Sequence, residues 1–258
     1  MIDILSPIID DVIKVGELAY EKYRSDVKIT IKDDQTPVTN VDQMIHEELL
    51  KSLNQYFPDI PVISEEGEIP SVQERQAMVD YWALDPLDGT VDFIKETDQF
   101  VISLGYISKG NPTMGIIHHP VSGTTWMAVS KCGVFIQQHG GQLVPLAALP
   151  KIERDDHVIL VSAHRNDHDL TNIIARQREK ELNRSVRIVP LGSALKFGYL
   201  VEGRADEYVR FTNTKEWDVA AGHCLVNEAG FEMVALDLTS PIEYQTEDMI
   251  IPPFTIRR

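Results

Sequence analysis

Cysteine, basic residues and long apolar runs are all scarce in this sequence. Only Cys132 and Cys224 occur among 258 residues, which excludes a framework of several disulfides and favours a reducing compartment. No apolar run approaches the roughly 18–20 residues that a bilayer-spanning helix requires. The amino-terminal segment MIDILSPIIDD carries acids where a signal peptide carries lysine or arginine. We therefore expect a cytoplasmic protein without an integral membrane segment, and peripheral association with the inner membrane is compatible with the same features.

The shortage of basic residues also restricts the partners. Lysine and arginine total 24 against 40 aspartates and glutamates, so the formal net charge at pH 7 is −16. Phosphate backbones attract basic surfaces, and we therefore expect no nucleic-acid polymer as a partner. The 43% hydrophobic and 25% charged residues are typical of a folded globular chain. The length suits one large domain or two packed halves.

Apolar spacing predicts two helices in the first quarter of the chain. Residues 3–23 carry apolar side chains on one face of a 3.6-residue period, and Asn40 is expected to cap a second helix over 41–56. A hairpin or loop is predicted between them, because Pro37 is excluded from a helix interior. Short strands are predicted at 61–64 and 81–84.

From residue 100 apolar and polar residues alternate with period two, and beyond about residue 150 predicted strands and helices follow one another in turn. Antiparallel strands are predicted at 100–107, 113–119, 125–130 and 134–137, with His118-His119 interpreted as part of a turn. Later strands are predicted at 158–162, 186–189, 207–210 and 231–234, and helices at 170–182, 193–201 and 217–228. Proline, polar and charged residues cluster near residue 150, which indicates a boundary between two subdomains. We predict an N-terminal α+β subdomain, 1–150, with most metal ligands, and a C-terminal α/β subdomain, 151–258, with Asp218 and the substrate-selecting residues.

The string DPLDGT places two carboxylates, Asp85 and Asp88, three residues apart. The preceding strand is expected to end at Asp85, where Pro86 forces a turn. The two carboxylates and the Leu87 carbonyl are oxygen ligands of the kind that Mg²⁺ prefers. A solvated Asx turn explains the same spacing equally well.

Residues around this string extend the candidate site. Gly89 lets backbone N–H groups approach an anion, and the Thr90 hydroxyl can orient a water. Glu65-Glu66 follows another short strand, and Asp42 lies near a helix start. Asp218 follows Trp217 at a third helix start, where the helix dipole alone also favours an acid.

A second anion pocket is indicated by Ser193 and Lys196 beside Gly192, at a predicted helix start. Arg210 can assist there. The alternative interpretations are a capping serine, a surface lysine and a surface ion pair of the arginine.

Four segments in order resemble the inositol monophosphatase superfamily of Mg²⁺-dependent, Li⁺-sensitive phosphatases. They are TPVTNVD (36–42), SEEGE (64–68), DPLDGTVDFI (85–94) and WDVAAGHCLVNEAG (217–230). DFIK (92–95) and LGSALKF (191–197) are most similar to the bacterial 3'(2'),5'-bisphosphate nucleotidases. The resemblance implies a layered α-β-α-β-α sandwich of the inositol monophosphatase and fructose-1,6-bisphosphatase type.

The resemblance also implies a role for each site residue. Glu65, Asp85 and the Leu87 carbonyl would hold one Mg²⁺, and Asp85, Asp88 and Asp218 a second, with a third, weaker ion at Glu65. Thr90 would activate the attacking water together with either Asp42 or Glu65, and this choice stays open. The implied substrate-binding residues are Leu87, Asp88, Gly89, Thr90, Ser193, Lys196, Arg210 and Asp218.

The implied reaction is hydrolysis of the 3'-phosphate of adenosine 3',5'-bisphosphate to AMP and phosphate, which would clear a by-product of sulfate assimilation. The alternatives are an inositol-1-phosphate or other sugar-phosphate phosphatase, and a non-catalytic metal- or phosphate-binding protein on the same scaffold. The expected partner is a small phosphate monoester, and the chain is expected to be a monomer or a homodimer.

Two positions depart from the nucleotidase pattern. Ala163-His164-Arg165 stands where those enzymes typically show Arg-Ser-His, and Glu96 stands where relatives often carry a basic residue. His164 and His168 are interpreted as surface or structural residues, because no third metal-ligating side chain accompanies them.

Overall fold

The computed structural model describes residues 2–25, 27–32, 35–164, 168–237 and 240–258. Its helices are α1 (Ile2–Lys22), α2 (Asn40–Tyr56), α3 (Val72–Ala77), α4 (Thr90–Ile94), α5 (His168–Leu182), α6 (Leu195–Val201) and α7 (Glu216–Glu228), with a 3₁₀ helix at Leu146–Ala148. Its strands in the first half are β1 (Ile29–Ile31), β2 (Pro37–Thr39), β3 (Val62–Ser64), β4 (Asp80–Asp88), β5 (Val101–Ser108), β6 (Asn111–His119), β7 (Thr124–Val129), β8 (Gly133–Gln137) and β9 (Val144–Pro145). Those in the second half are β10 (His157–Ser162), β11 (Val186–Leu191), β12 (Glu207–Arg210), β13 (Thr214–Lys215), β14 (Glu232–Ala235), β15 (Ile250–Ile251) and β16 (Phe254–Arg257).

Two main sheets organise the part of the chain that the structure describes. The larger sheet has the order β3-β4-β5-β6-β7-β8-β9, with β3 parallel to β4 and every other pair antiparallel. The smaller sheet has the order β11-β10-β12-β16-β14, with β10 parallel to both of its neighbours. Two short pairs, β1-β2 and β13-β15, lie outside these sheets. The predicted change from antiparallel strands to strand–helix alternation is confirmed.

Successive side chains of β4 show how helices cover both faces of the larger sheet. Trp82 contacts Phe57, just after α2, with ring centroids 5.3 Å apart. Its neighbour Tyr81 points to the opposite face, where its hydroxyl reaches Glu216 of α7. The smaller sheet has the same arrangement, since Tyr208 of β12 stacks edge-on against Phe197 of α6 while Glu207 binds Arg178 of α5. The layers are therefore α1/α2, larger sheet, α6/α7, smaller sheet and α5, which confirms the predicted sandwich.

The two amino-terminal helices form as their sequences predict, with one correction. In α1 the predicted stripe is buried, and Ile8, Val12 and Ala19 are fully covered. The cap of α2 is Thr39 rather than Asn40, because the Thr39 hydroxyl accepts hydrogen bonds from the N–H groups of Val41 and Asp42. A capping box with Asp42 completes this helix start.

Helix α7 packs unusually close to the larger sheet, and two glycines permit this. A Cβ atom on Gly115 of β6 would lie 2.2 Å from the carbonyl oxygen of Ala221. One on Gly105 of β5 would lie 2.6 Å from Cβ of Ala220. Any larger residue at these positions would push α7, and with it Asp218, away from the sheet.

Two further local predictions are wrong. His118 and His119 end strand β6 instead of forming a turn, and His118 is buried with its Nδ1 2.9 Å from the Thr125 hydroxyl. Strand β4 continues beyond Asp85 to Asp88, because a shift of register absorbs Pro86 and Leu87. The short helices α3 and α4 and the strands β9, β13, β15 and β16 were not predicted. The division of the chain at residue 150 stays a prediction.

Among the described helices, none is long and apolar enough to cross a membrane.

Candidate active site

A cleft of about 330 Å³ opens where the two sheets and the helices between them meet. Asp85 and Asp88 enter it from the carboxyl end of β4, and Glu65 enters from just beyond β3. The parallel pairing of β3 with β4 explains this convergence, because parallel strands end at the same edge of a sheet. Asp218 reaches the cleft from the first turn of α7, and Ser193 from the segment before α6.

Three carboxylates in the cleft lie close enough to share one ion. Glu65, Asp85 and Asp218 each offer an oxygen, and these oxygens lie within 4.8 Å of one another. Burial and then repulsion by Asp218 raise the pKa of Glu65 to about 7. Burial, reinforced by Glu65 and its other acidic neighbours, raises the pKa of Asp85 well above its ordinary value. The cluster is therefore expensive to ionise without cations.

Asp88 links this cluster to the opposite wall. Its Oδ2 accepts a hydrogen bond from the N–H of Ala194, just before α6. Burial and the proximity of Asp218 raise the pKa of Asp88 to about 7, although Lys196 and the Ala194 hydrogen bond act in the other direction.

The turn after Asp88 requires glycine. Gly89 has φ +97°, and a Cβ there would lie 2.9 Å from the Gln99 carbonyl oxygen. The chain then enters α4, so the N–H groups of Gly89 and Thr90 lie where intrahelical acceptors are lacking. Both residues line the cleft that holds the carboxylate cluster.

The Thr90 hydroxyl donates to Asp42 Oδ1 at 2.9 Å and lies 3.2 Å from the Leu87 carbonyl oxygen. Asp42 is buried, and its Oδ2 accepts from the Thr39 N–H at 2.9 Å and from the Thr39 hydroxyl. Burial raises the pKa of Asp42 above its ordinary value. Within the described residues no hydrogen bond joins Thr90 to Glu65, so this geometry pairs Thr90 with Asp42.

Neighbouring groups contact two acids of the cluster, Asp218 and Glu65. Asp218 Oδ2 accepts from the Thr214 hydroxyl and, at 3.1 Å, from the Lys215 N–H. The Lys32 ammonium lies 3.1 Å from Glu65 Oε1 and 2.6 Å from Glu66 Oε1. Lys32 therefore occupies a position between two acids that the sequence analysis did not assign to it.

The residues of the predicted second anion pocket line the cleft together, with different local geometry. The helix begins at Leu195, and Ser193 precedes it with φ +49°. Lys196 is buried, and its ammonium donates to the carbonyl oxygens of Leu191 and Ser193. Arg210 lines the same cleft and donates to the Thr212 carbonyl oxygen at 3.2 Å, so it is not a surface ion pair.

One pair in the cleft was not predicted. His164 Nε2 lies 2.7 Å from Oδ2 of Asp92, a carboxylate that is 2% exposed. The surface or structural role predicted for His164 did not include this pairing, because the partners are 72 positions apart in sequence. The only signal was the departure from the nucleotidase pattern at 163–165. Arg165 and the side chain of His168 lie outside the described residues.

The five-layer sandwich and the carboxylate cleft define the class, a layered α/β phosphatase. Residues 3–255 match the profile of the inositol monophosphatase family. The 3'(2'),5'-bisphosphate nucleotidase CysQ of Haemophilus influenzae is 32% identical over 238 residues, covering 92% of this chain and 86% of that protein. The enzyme of the same name from Salmonella typhimurium is 34% identical over 206 residues, covering 77% and 76%. The chain belongs to the inositol monophosphatase family.

A solved structure agrees with this assignment. The crystal structure of CysQ from Bacteroides thetaiotaomicron, a bacterial member of the family, has a TM-score of 0.82 to this chain at 29% identity. The alignment covers 98% of this chain and 96% of that one. An inositol monophosphatase from Thermotoga maritima has a TM-score of 0.76 at 25% identity, covering 99% and 92%.

Proposed function

We propose that this phosphatase hydrolyses the 3'-phosphate of adenosine 3',5'-bisphosphate to AMP and phosphate, with Mg²⁺ as its cofactor. The observation that carries the proposal is the cluster of Glu65, Asp85 and Asp218 beside Asp88, next to the turn at Gly89 and Thr90 that lines the same cleft. The names of the CysQ relatives support the nucleotide as substrate. A cytoplasmic location, and a state as monomer or homodimer, belong to the same proposal.

The donor set suits Mg²⁺. It consists of carboxylate oxygens and one carbonyl, without nitrogen or sulfur, and such ligands select hard cations. Glu65, Asp85 and the Leu87 carbonyl would hold one ion, and Asp85, Asp88 and Asp218 a second, with a third, weaker ion at Glu65. Bound Mg²⁺ supplies positive charge that neutralises the phosphate and lowers the pKa of a bound water.

The chain's own groups then bind the phosphate and handle the proton. The N–H groups of Gly89 and Thr90 donate to the oxygens of the scissile phosphate. Thr90 passes its proton to Asp42 Oδ1 and accepts one from the attacking water, along the hydrogen bond that is already formed. The raised pKa of Asp42 suits it to this proton, because a buried carboxylate is a stronger base than an exposed one.

The 5'-phosphate, which is retained, would lie on the opposite wall. Ser193 lines the cleft there, and the Lys196 ammonium, which donates to two backbone carbonyls, has a third N–H donor left for the phosphate. Arg210 adds a second positive charge to the same wall. Glu96 does not oppose this binding, because its carboxylate lies outside the cleft, 4.0 Å from the Arg24 guanidinium.

Phosphate release from three substrates tests the proposal. We expect adenosine 3',5'-bisphosphate to exceed inositol 1-phosphate and fructose 1,6-bisphosphate by about tenfold or more in kcat/KM, in each case with Mg²⁺ and with inhibition by Li⁺. Lys196→Met should remove this preference while leaving turnover of inositol 1-phosphate within a few-fold. Preference for inositol 1-phosphate in the unaltered protein would assign it to sugar phosphates. No turnover of any of the three would favour a binding protein.

A further inference from the structure

The segment 192–194, which joins β11 to α6, belongs to the wall proposed for the retained phosphate. Ser193 within it has φ +49°, in the left-handed region that residues other than glycine rarely adopt. A backbone in that conformation persists only where the surrounding structure holds it. The groups that contact this segment therefore decide where Ser193 lies relative to the rest of the cleft.

The side chain of Gln99 holds this segment from outside the cleft. Its Oε1 accepts a hydrogen bond from the Gly192 N–H at 2.6 Å. A Cβ atom on Gly192 would lie 3.0 Å from Cβ of Gln99 and 2.5 Å from Oδ2 of Asp92, so the segment packs directly against these two side chains. Gln99 is not among the described residues that line the cleft, so it contacts the segment from behind the wall.

The backbone of Gln99 also contacts the turn proposed for the scissile phosphate. Asp88 of β4 pairs with Val101 of β5, which places the residues before Val101 beside the turn at Gly89. A Cβ atom on Gly89 would lie 2.9 Å from the Gln99 carbonyl oxygen and 3.2 Å from Cβ of Ser193. Gln99 thus joins the two phosphate-binding segments, because its backbone lies against the first and its side chain is hydrogen-bonded to the second.

The residue before Gln99 is fixed by three neighbours. The Asp98 N–H donates to the Tyr23 hydroxyl at 2.9 Å, and the Asp98 carbonyl oxygen lies 2.8 Å from His119 Nε2. The Arg24 guanidinium donates to Asp98 Oδ1 at 3.0 Å. These contacts hold Asp98 in a left-handed conformation, with φ +62°. The Gln99 side chain therefore starts from a braced backbone, as a group that positions others requires.

A second connection between the two phosphate-binding segments is the hydrogen bond from the Ala194 N–H to Asp88 Oδ2. Asp88 is a proposed metal ligand, so a substitution there would disturb the ion as well as the segment. Gln99 is the connection that can be altered without removing a proposed ligand of the metal or of the phosphates.

We propose that Gln99 is a positioning residue that sets the separation between the two phosphate-binding segments, and through it the preference for a substrate with two phosphates. The inference rests on the proposed function, since it concerns the retained phosphate of that substrate. A substrate held at both ends must match the distance between the segments, whereas one with the scissile phosphate alone needs only the turn at Gly89. A misplacement of about 1 Å is enough to lose much of that match.

Steady-state kinetics with adenosine 3',5'-bisphosphate and adenosine 3'-phosphate tests the proposal, because these substrates differ only in the retained phosphate. Gln99→Met keeps the length of the side chain and removes the acceptor for the Gly192 N–H. We expect it to lower the ratio of kcat/KM between the two substrates by about tenfold, through a higher KM for the bisphosphate at a kcat within about three-fold.

A matched control is Gln177→Met in α5. The Gln177 side chain also donates a hydrogen bond, to Glu181 at 2.7 Å, but it is exposed and lies outside the cleft lining. This variant should leave the ratio unchanged. A second variant, Tyr23→Phe, removes the hydrogen bond from the Asp98 N–H and leaves Gln99 intact, and we expect it to lower the ratio by about two- to three-fold.

The outcomes separate this inference from the proposed function. The positioning role is overturned if folded Gln99→Met keeps the ratio of the unaltered protein, or if it loses kcat/KM equally on both substrates. Should Gln99→Met not fold, an unchanged ratio in Tyr23→Phe overturns it. A lack of preference for the bisphosphate in the unaltered protein would contradict the proposed function itself, and the inference with it.

Discussion

The carboxylates of the cleft are where sequence and structure agree most closely. Asp85 and Asp88 were predictable because they share one short string, and Glu65 because it follows a strand of its own. The pairs Lys32–Glu66 and Asp92–His164 could not be predicted, since each joins segments that only the tertiary fold brings together. Local spacing indicates ligands within one turn, whereas partners across a cleft carry no spacing signal.

The hydrogen bond from Thr90 to Asp42 gives a prediction for one hydroxyl group. Thr90→Val keeps the shape of the side chain and removes the donor, so we expect kcat to fall by about 10²–10⁴-fold. Thr90→Ser retains the hydroxyl and should stay within about tenfold of the unaltered enzyme. Steady-state kinetics at saturating Mg²⁺ measures both. Equal activity of the valine and serine variants would remove Thr90 from the proton path.

At the scale of helices and strands, the periodicity of apolar residues predicted the longer elements. Helices α1 and α2 were predicted from apolar stripes that are indeed buried, and strands β5 to β8 from the period of their sequences, although only β8 alternates in burial. The position of β16 between β12 and β14 could not be predicted, because the strand is four residues long and its partners are distant in sequence. The bulge that carries β4 past Pro86 was also missed, since proline normally ends such a strand.

Strand β4 and helix α7, which carry the two groups of candidate ligands, are joined by a buried hydrogen bond. The Tyr81 hydroxyl donates to Glu216 Oε2 at 2.6 Å. Tyr81→Phe leaves that carboxylate short of a donor, so we expect the free energy of unfolding to fall by about 1–3 kcal/mol. Urea unfolding measures this, with Tyr20→Phe as the control, because Tyr20 is 48% exposed. An equal, negligible effect of both variants would show that the hydrogen bond does not brace the site.

At the scale of the whole molecule, the layering could not be read from periodicity. The alternation of strands and helices indicated a layered α/β protein, and the order of the five layers came from the resemblance to a family. The reason is physical: both sheets have helices on each face, so burial alone does not say which helix lies between them. Glycines such as Gly115 decide that α7 packs close to the larger sheet.

The acidic cluster predicts how stability depends on pH and metal. Glu65 and Asp88 have pKa values of about 7, so their contribution to stability is present below their ordinary carboxyl range and is lost as the pH rises through 7. We expect Mg²⁺ to raise Tm by about 5 °C or more at pH 8, where it offsets this repulsion, and by much less at pH 5. Differential scanning calorimetry with Mg²⁺ or EDTA measures both. An equal shift at the two pH values would contradict this account.

Two buried histidines make the stability of the protein fall as the pH is lowered, the opposite of the effect of the carboxylates. Burial lowers the pKa of His118 to about 3 and that of His223 to about 4. Their contribution is present above the ordinary histidine pKa and is lost as the pH falls toward these values. Between the ordinary carboxyl and histidine pKa values the two losses offset each other, so the stability of the metal-free protein is expected to fall on either side of that range. Tm measured in EDTA from pH 3 to pH 9 checks this, and a steady rise in Tm up to pH 9 would contradict it.

The most direct test of the central claim is to identify the product formed from adenosine 3',5'-bisphosphate with Mg²⁺. Chromatography against authentic standards should show AMP and phosphate in equal amounts, with no adenosine 3'-phosphate. Asp88→Asn should remain folded and lower the rate by orders of magnitude, because the cluster then lacks one of its carboxylates. Formation of adenosine 3'-phosphate, or an unchanged rate in Asp88→Asn, would contradict the account.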